Sequence, residues 1–200
     1  MTAPVTYIAD FIPPGIVSAL FDSLRSELAW QRRVMRNVRI VDGVEHVTEQ
    51  PVPRAEYWTN TFNRPYTYGR GAGIRTYQPQ PDHEIIGNLR SALEAQHNSY
   101  LEGCFLNMYE NGRDALGWHA DDDPGIDHSK PIAVITLGQG RELRYKAQEP
   151  GSHPISIFLE PGSLLLMHAG MQQTHYHMIP AVKDREIGTR ISLTYRGLIQ

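Results

Sequence analysis

The chain has 200 residues, 40% of them hydrophobic and 20% charged, with one cysteine and a formal net charge of -3 from 19 basic and 22 acidic side chains. These values describe one ordinary globular domain in the roughly 100–200-residue class. They exclude a disulfide framework, a cysteine-rich zinc site and a global polycation built for nucleic acid. The longest apolar runs, Ile132-Ala133-Val134-Ile135 and Leu164-Leu165-Leu166-Met167, fall far short of the roughly 20 residues that cross a bilayer as a helix. The first residues show no basic segment followed by an apolar one, so the expectation is a cytoplasmic protein, or a nuclear one in a eukaryote, with no membrane partner.

Pro13-Pro14-Gly15 opens the first predicted element, in an N-terminal region of residues 1–33. Ile16, Val17, Leu20, Phe21, Leu24 and Leu28 recur at spacings of three and four, with Asp22, Arg25 and Glu27 off the stripe. This predicts an amphipathic helix. Residues 34–81 mix Arg, Tyr, Gly and Pro with β-prone pieces such as Val38–Val41, and read as one or two hairpins plus loops. Asp82 is placed as the N-cap of a supporting helix over 82–98, with Ile85, Ile86, Leu89 and Leu93 on one face. From Gly103 the pattern changes to short β-like runs: Cys104–Tyr109, Ala115–His119, Ile132–Leu137, Glu142–Lys146, Ile155–Leu159, Ser163–His168, His175–Met178 and Ile187–Tyr195. About eight strands without intervening helices predict a sandwich or jelly roll over residues 103–200.

Two of the nine histidines stand in a chemical context. His119 and Asp121 lie at i and i+2 at the end of a predicted strand, where the side-chain period of two sends both to one face. His177, on another predicted strand, is the candidate third ligand, with His168 and His175 as competitors. Two imidazoles and a carboxylate on one face of an octahedron leave three positions open, the arrangement of non-haem Fe(II) oxygenases. The last predicted strand places Arg190, Ser192, Thr194 and Arg196 on one face and Ile191, Leu193 and Tyr195 on the other. Two buried arginines each need an anion, which either protein carboxylates or a dicarboxylate ligand could supply. Asn107 and Tyr109 alternate onto one face before the His-x-Asp turn, and Cys104 reads as core.

Taken together, Asn107-Met108-Tyr109, Gly112-Arg113-Asp114, Trp118-His119-Ala120-Asp121-Asp122-Asp123, Pro131 to Gly138, Gly162 to Met167, His175 to Pro180 and Arg190 to Arg196 resemble the AlkB-type Fe(II)/2-oxoglutarate-dependent dioxygenases that dealkylate nucleic-acid bases. The resemblance runs from about Pro53 to Arg196. It implies a mainly β fold with flanking helices, a double-stranded β-helix (jelly roll) in a single dioxygenase domain, residues 1–200, with residues 34–81 as a nucleotide-recognition lid. It implies Fe(II), 2-oxoglutarate and O2 as cofactors, His119, Asp121 and His177 as iron ligands and catalytic centre, and Asn107, Tyr109, Arg190, Ser192 and Arg196 around 2-oxoglutarate. One of the two arginines would take the distal carboxylate and the other brace the iron-ligand shell. Where Ser192 stands the family usually has Asn, which bears on cosubstrate affinity. Trp58, Tyr66 and Tyr68 match the lid aromatics, and Asp123 matches an acidic position that contacts the flipped base.

The implied reaction is oxidative demethylation of N-alkylated bases such as 1-methyladenine and 3-methylcytosine in DNA or RNA. It couples to decarboxylation of 2-oxoglutarate to succinate and releases formaldehyde, as in DNA alkylation repair by a monomer. The competing readings are a hydroxylase or demethylase of a small molecule, a protein or a programmed nucleic-acid modification, and a noncatalytic reader, against which the complete ligand triad argues. Arg32, Arg33, Arg36, Arg39, Arg54, Arg64, Arg70 and Arg75 gather basic charge in the first 75 residues, where phosphate contacts would fall. The net charge then averages an acidic iron end with an arginine-bearing lid.

Overall fold

The computed structural model describes residues 3–68, 74–182 and 186–199, with residues 35–37 described for the backbone alone. Its centre is a six-stranded antiparallel sheet in the order β1-β12-β9-β14-β7-β4, formed by β1 (Val5–Ile8), β12 (Leu164–Met167), β9 (Ile132–Gly138), β14 (Arg190–Arg196), β7 (Gly103–Tyr109) and β4 (Ala55–Asn60). A four-stranded sheet, in the order β11-β10-β13-β8, comprises β11 (Ile155–Leu159), β10 (Arg141–Ala147), β13 (His175–Ile179) and β8 (Leu116–His119). Two hairpins complete the β structure: β2 (Val34–Val41) with β3 (Val44–Pro51), and β5 (Tyr66–Tyr68) with β6 (Arg75–Tyr77). The helices are α1 (Pro14–Glu27), α2 (Glu84–His97) and the single turn α3 (Met171–Thr174).

Alternation along the central strands sorts their side chains into two cores. Cys104, Leu106, Ile135, Leu137, Ile191, Leu193 and Tyr195 face outward against Val17 and Leu24 of α1 and Ile86 and Leu93 of α2. Ile132, Val134, Leu165 and Met167 face inward against Leu143, Tyr145, Leu159 and Ile179 of the smaller sheet. The result is helices, large sheet and small sheet in three layers, the expected jelly roll with flanking helices. A third cluster of Trp58, Tyr66, Tyr77, Phe105, Ile126 and Leu198 closes one end.

Several details depart from expectation. The jelly roll is not confined to residues 103–200, because β1 and β4 are strands of the large sheet. Both helices form, but Ile16 is 49% exposed and lies outside the core stripe. His83, not Asp82, caps α2 by accepting from the Ile85 N–H; Asp82 pairs with Arg90 at 2.7 Å. The 34–81 region holds the expected hairpins, two of them, with β4 of the large sheet between them; the first turns at Asp42 (φ 50°) and Gly43 (φ 78°), the Asp-Gly pair that a two-residue turn with positive φ favours. The last strand starts at Arg190, three residues later than expected, after Gly138 (φ 74°) brings the end of β9 against Thr189. Among the described residues no helix is long and apolar enough to cross a membrane.

Candidate active site and metal centre

Strand pairing builds the proposed metal centre. His119 ends β8 directly opposite His177 on β13, and their ring centroids lie 4.1 Å apart. Asp121 follows two residues beyond the strand end, and one donor atom from each of the three lies within 4.8 Å of the others. Nδ1 of His119 donates to the Gly117 carbonyl at 2.8 Å, which leaves Nε2 as the donor to a metal, 3.7 Å from Asp121 Oδ1. The backbone N–H of Asp121 donates to Oε1 of Gln172 on α3 at 2.9 Å, holding the loop in place. His177 is buried, and among the described residues its Nδ1 has no hydrogen-bond partner.

The electrostatics favour ligation. Burial, reinforced by His119 and Arg196, drives the His177 imidazole down to about 3, and burial lowers His119 as well, so both rings are neutral with a lone pair available at pH 7. Burial alone would raise the Asp121 carboxyl, but Arg196 and the imidazoles outweigh it and hold it below its ordinary value. Neutral nitrogens and an ionised carboxylate are the form that binds a divalent ion.

The large sheet supplies the opposite wall. In the β7–β14 register Tyr109 pairs with Arg190 and Asn107 with Ser192, and these four line one cavity with Arg196 and the triad. The two arginines have different surroundings. Arg196 is ion-paired through Nη2 with Asp121 Oδ2 at 3.2 Å. Arg190 is 1% exposed and donates from Nη2 to Thr136 Oγ1 at 3.0 Å, yet among the described residues its Nε and Nη1 have no acceptor in hydrogen-bonding geometry. Among the described residues no carboxylate pairs with Arg190, and burial pushes its guanidinium down to about 10. A buried cation with two open donors fits an incoming carboxylate.

Tyr66, Tyr68, Tyr77 and Phe105 form the aromatic wall of the same cavity. Trp58 and Asp123 are placed differently: both line an adjoining groove behind Tyr66. Trp58 packs on the Tyr66 ring at 4.8 Å between centroids, and Asp123 accepts from the Tyr66 hydroxyl at 2.6 Å. His168 bonds Thr6 Oγ1 and His175 bonds Thr174 Oγ1, so neither competitor joins the triad. Cys104 is core, with burial raising its thiol to about 12.

Arg54, grouped by sequence with the phosphate-facing arginines, instead lines the cavity and is 7% exposed. Its Nε donates to Asn107 Oδ1 at 2.7 Å and its Nη2 lies 2.8 Å from Glu56 Oε1. Arg32 is paired with Glu110 and Asp114, and Arg33 lies over the Tyr77 ring at 3.8 Å. The Arg36 side chain and Arg70 lie outside the described residues. Tyr77, Phe105 and Gln172 were also missed. Phe105 alone had a signal, since it shares the alternation of Asn107 and Tyr109.

Residues 4–196 match the family model of the 2OG-Fe(II) oxygenase superfamily, and the chain belongs to that superfamily, whose cofactors are Fe(II), 2-oxoglutarate and O2. Within it the similarity is to AlkB-type members. The chain is 29% identical over 198 residues to human "Alpha-ketoglutarate-dependent dioxygenase alkB homolog 3", covering 92% of this chain and 64% of that protein. It is 25% identical over 187 residues to bovine "DNA oxidative demethylase ALKBH2", covering 90% and 64%. The chain thus spans a little under two thirds of the length of these relatives. The solved structure of OsALKBH1 superposes with a TM-score of 0.60 at 15% identity over 98% of this chain and 99% of that one, which bears out the jelly-roll fold. The residues present fit the superfamily's cofactors, since the donor set is oxygen and nitrogen and Arg190 keeps two buried donors open.

Proposed function

We propose that this chain is an Fe(II)- and 2-oxoglutarate-dependent dealkylase of N-alkylated bases, such as 1-methyladenine and 3-methylcytosine, in DNA or RNA, acting in alkylation repair. The observation that carries the reading is one cavity bounded by the His-Asp-His cluster, an uncompensated buried arginine and an aromatic wall. The names of the human and bovine relatives, a dioxygenase and a DNA oxidative demethylase, support the same class.

His119, Asp121 and His177 would hold Fe(II). With 2-oxoglutarate and O2 the iron supplies the oxidation that hydroxylates the carbon on the base nitrogen, after which the product sheds formaldehyde. Arg190 would take the distal carboxylate of 2-oxoglutarate through Nε and Nη1, leaving Arg196 as the brace on Asp121. Because Asn107 Oδ1 accepts from Arg54, its amide is turned so that Nδ2 is the group offered to the cosubstrate, beside Tyr109 and Ser192. Tyr66 and Tyr68 would stack against the flipped base, backed by Trp58 and Asp123. Flipping costs a few kcal/mol and each stacking contact returns about 1–3 kcal/mol, so two rings can offset it.

The test is anaerobic loading with Fe(II), then turnover with 2-oxoglutarate and air on methylated and unmodified oligonucleotides. Formaldehyde and succinate should form in step with the methylated base. Succinate with no dependence on any oligonucleotide, or none despite bound iron, would overturn the reading.

A further inference from the structure

We propose that Tyr66 is a positioning residue for the metal-binding carboxylate of Asp121, acting through Arg196, so that the aromatic wall of the cavity and the metal site are joined by one hydrogen-bonded chain. Four buried side chains form it. Asp121 Oδ2 lies 3.2 Å from Arg196 Nη2, Arg196 Nη1 donates to the Tyr66 hydroxyl oxygen at 2.9 Å, and that hydroxyl donates its proton to Asp123 Oδ2 at 2.6 Å. The four are 4–7% exposed, so water does not substitute readily for any link.

The direction of the bonds explains why the phenol matters. A hydroxyl has one proton, and Asp123 takes it, so the oxygen faces Arg196 as an acceptor. Arg196 therefore sits between two carboxylates, bonded directly to Asp121 and through the phenol to Asp123. Without the phenol oxygen, Nη1 becomes a buried donor beside an unsatisfied Nε. The carboxylate on the far side of the lost hydroxyl is Asp123, and moving toward it draws Arg196 off Asp121. The positive charge would stay near the metal site, so its repulsion of a cation persists while the orientation of the carboxylate is lost. Weaker metal binding follows. The Tyr66 ring is held independently of its hydroxyl, by Trp58 at 4.8 Å and Phe105 at 6.0 Å between centroids, so the phenylalanine variant should keep the wall intact.

The inference rests on the metal-holding part of the proposed function and not on the choice of substrate. The experiment titrates Co(II) into the metal-free protein and follows both affinity and the ligand-field absorption of the bound ion. Loss of a partner that orients a ligand costs about 10–100-fold in metal affinity. Tyr66 stands one bond further out, so Tyr66→Phe should bind Co(II) roughly 3- to 10-fold more weakly, with a shifted band. Asp123→Asn, which weakens the same chain from its far end, should fall between Tyr66→Phe and the wild type. Thr67→Val removes a neighbouring hydroxyl whose one side-chain partner among the described residues is Thr76 and should match the wild type. Unchanged or tighter Co(II) binding by Tyr66→Phe with an unshifted band would overturn the inference alone, as would an equal loss in Thr67→Val. Absence of Co(II) binding by the wild type would overturn it together with the metal-site reading.

Discussion

Replacing Arg190 by Met separates a ligand-binding arginine from a structural one. Burial holds the Arg190 guanidinium at about 10. At 1.36 kcal/mol per pH unit this corresponds to a penalty of about 3 kcal/mol on the charged form. That figure is already net of the help from Tyr109, whose ring lies 5.3 Å from the guanidinium carbon, and the Thr136 hydroxyl recovers about 1 kcal/mol more. Methionine removes the uncompensated charge and those two contacts. The metal-free, ligand-free variant should therefore be as stable as the wild type, or more stable by about 1 kcal/mol. Binding of 2-oxoglutarate should move the opposite way, because the carboxylate loses a buried bidentate partner worth about 3 kcal/mol, or roughly 100-fold in dissociation constant. Calorimetric titration of 2-oxoglutarate into the Mn(II)-loaded, anaerobic protein measures the second quantity, and guanidinium unfolding of the ligand-free protein the first. A variant that is about 2 kcal/mol less stable yet binds 2-oxoglutarate as tightly as the wild type would refute the assignment of Arg190 as the carboxylate anchor.

Gln172→Leu leaves the buried Asp121 N–H without its acceptor, so Co(II) affinity should fall roughly tenfold, whereas Gln172→Glu, which keeps an acceptor oxygen, should retain it; equal behaviour of the two would remove Gln172 from the site. Gly138→Ala places a Cβ 2.4 Å from the Thr189 carbonyl oxygen at a φ of 74°, and unfolding should show a loss of about 2–5 kcal/mol from backbone strain plus overpacking. Cys104 should not react with a disulfide thiol reagent at pH 8 until the protein is unfolded, because burial raises its thiol from 9.0 to about 12. Folding favours its protonated form, so the stability tied to this group is intact below pH 9 and is lost as the pH rises from there toward 12, a slope that Cys104→Ala should lessen, the buried tyrosines supplying the rest.

What the sequence made legible follows from strand geometry. β14 and β7 lie side by side near the middle of the large sheet, so their period of two assigned Arg190, Ser192, Thr194 and Arg196 to the cavity and Ile191, Leu193 and Tyr195 to the helices. The same rule would have added Phe105. β4 resisted it because all six of its residues are buried, leaving no polar side to reveal its pairing with β7. Arg54, just before its first residue, therefore looked like surface charge; its ion pair with Glu56 is a local i,i+2 contact, but its bond to Asn107 spans 53 positions and has no local signature. The caps show a similar limit. Asp82 has the better capping side chain, but its bond to Arg90 leaves that role to His83. Gln172 sits in a four-residue turn whose contact with Asp121 spans 51 positions of chain, beyond the reach of any period.

The proposed metal donors and the proposed cosubstrate contacts belong to different sheets. His119 and His177 ride on the small one, with Asp121 in the loop that leaves β8, whereas Asn107, Tyr109, Arg190, Ser192 and Arg196 ride on the large one. The site is thus a seam, and its geometry is only as good as the alignment of the two layers. A shear of either sheet by a fraction of a strand spacing would separate oxidant from anchor while each layer stayed fully hydrogen-bonded. Competence for chemistry should therefore disappear before secondary structure does on mild heating. Ligands that bridge the seam should act as rivets, raising hydrogen-exchange protection most on β8, β13 and β14.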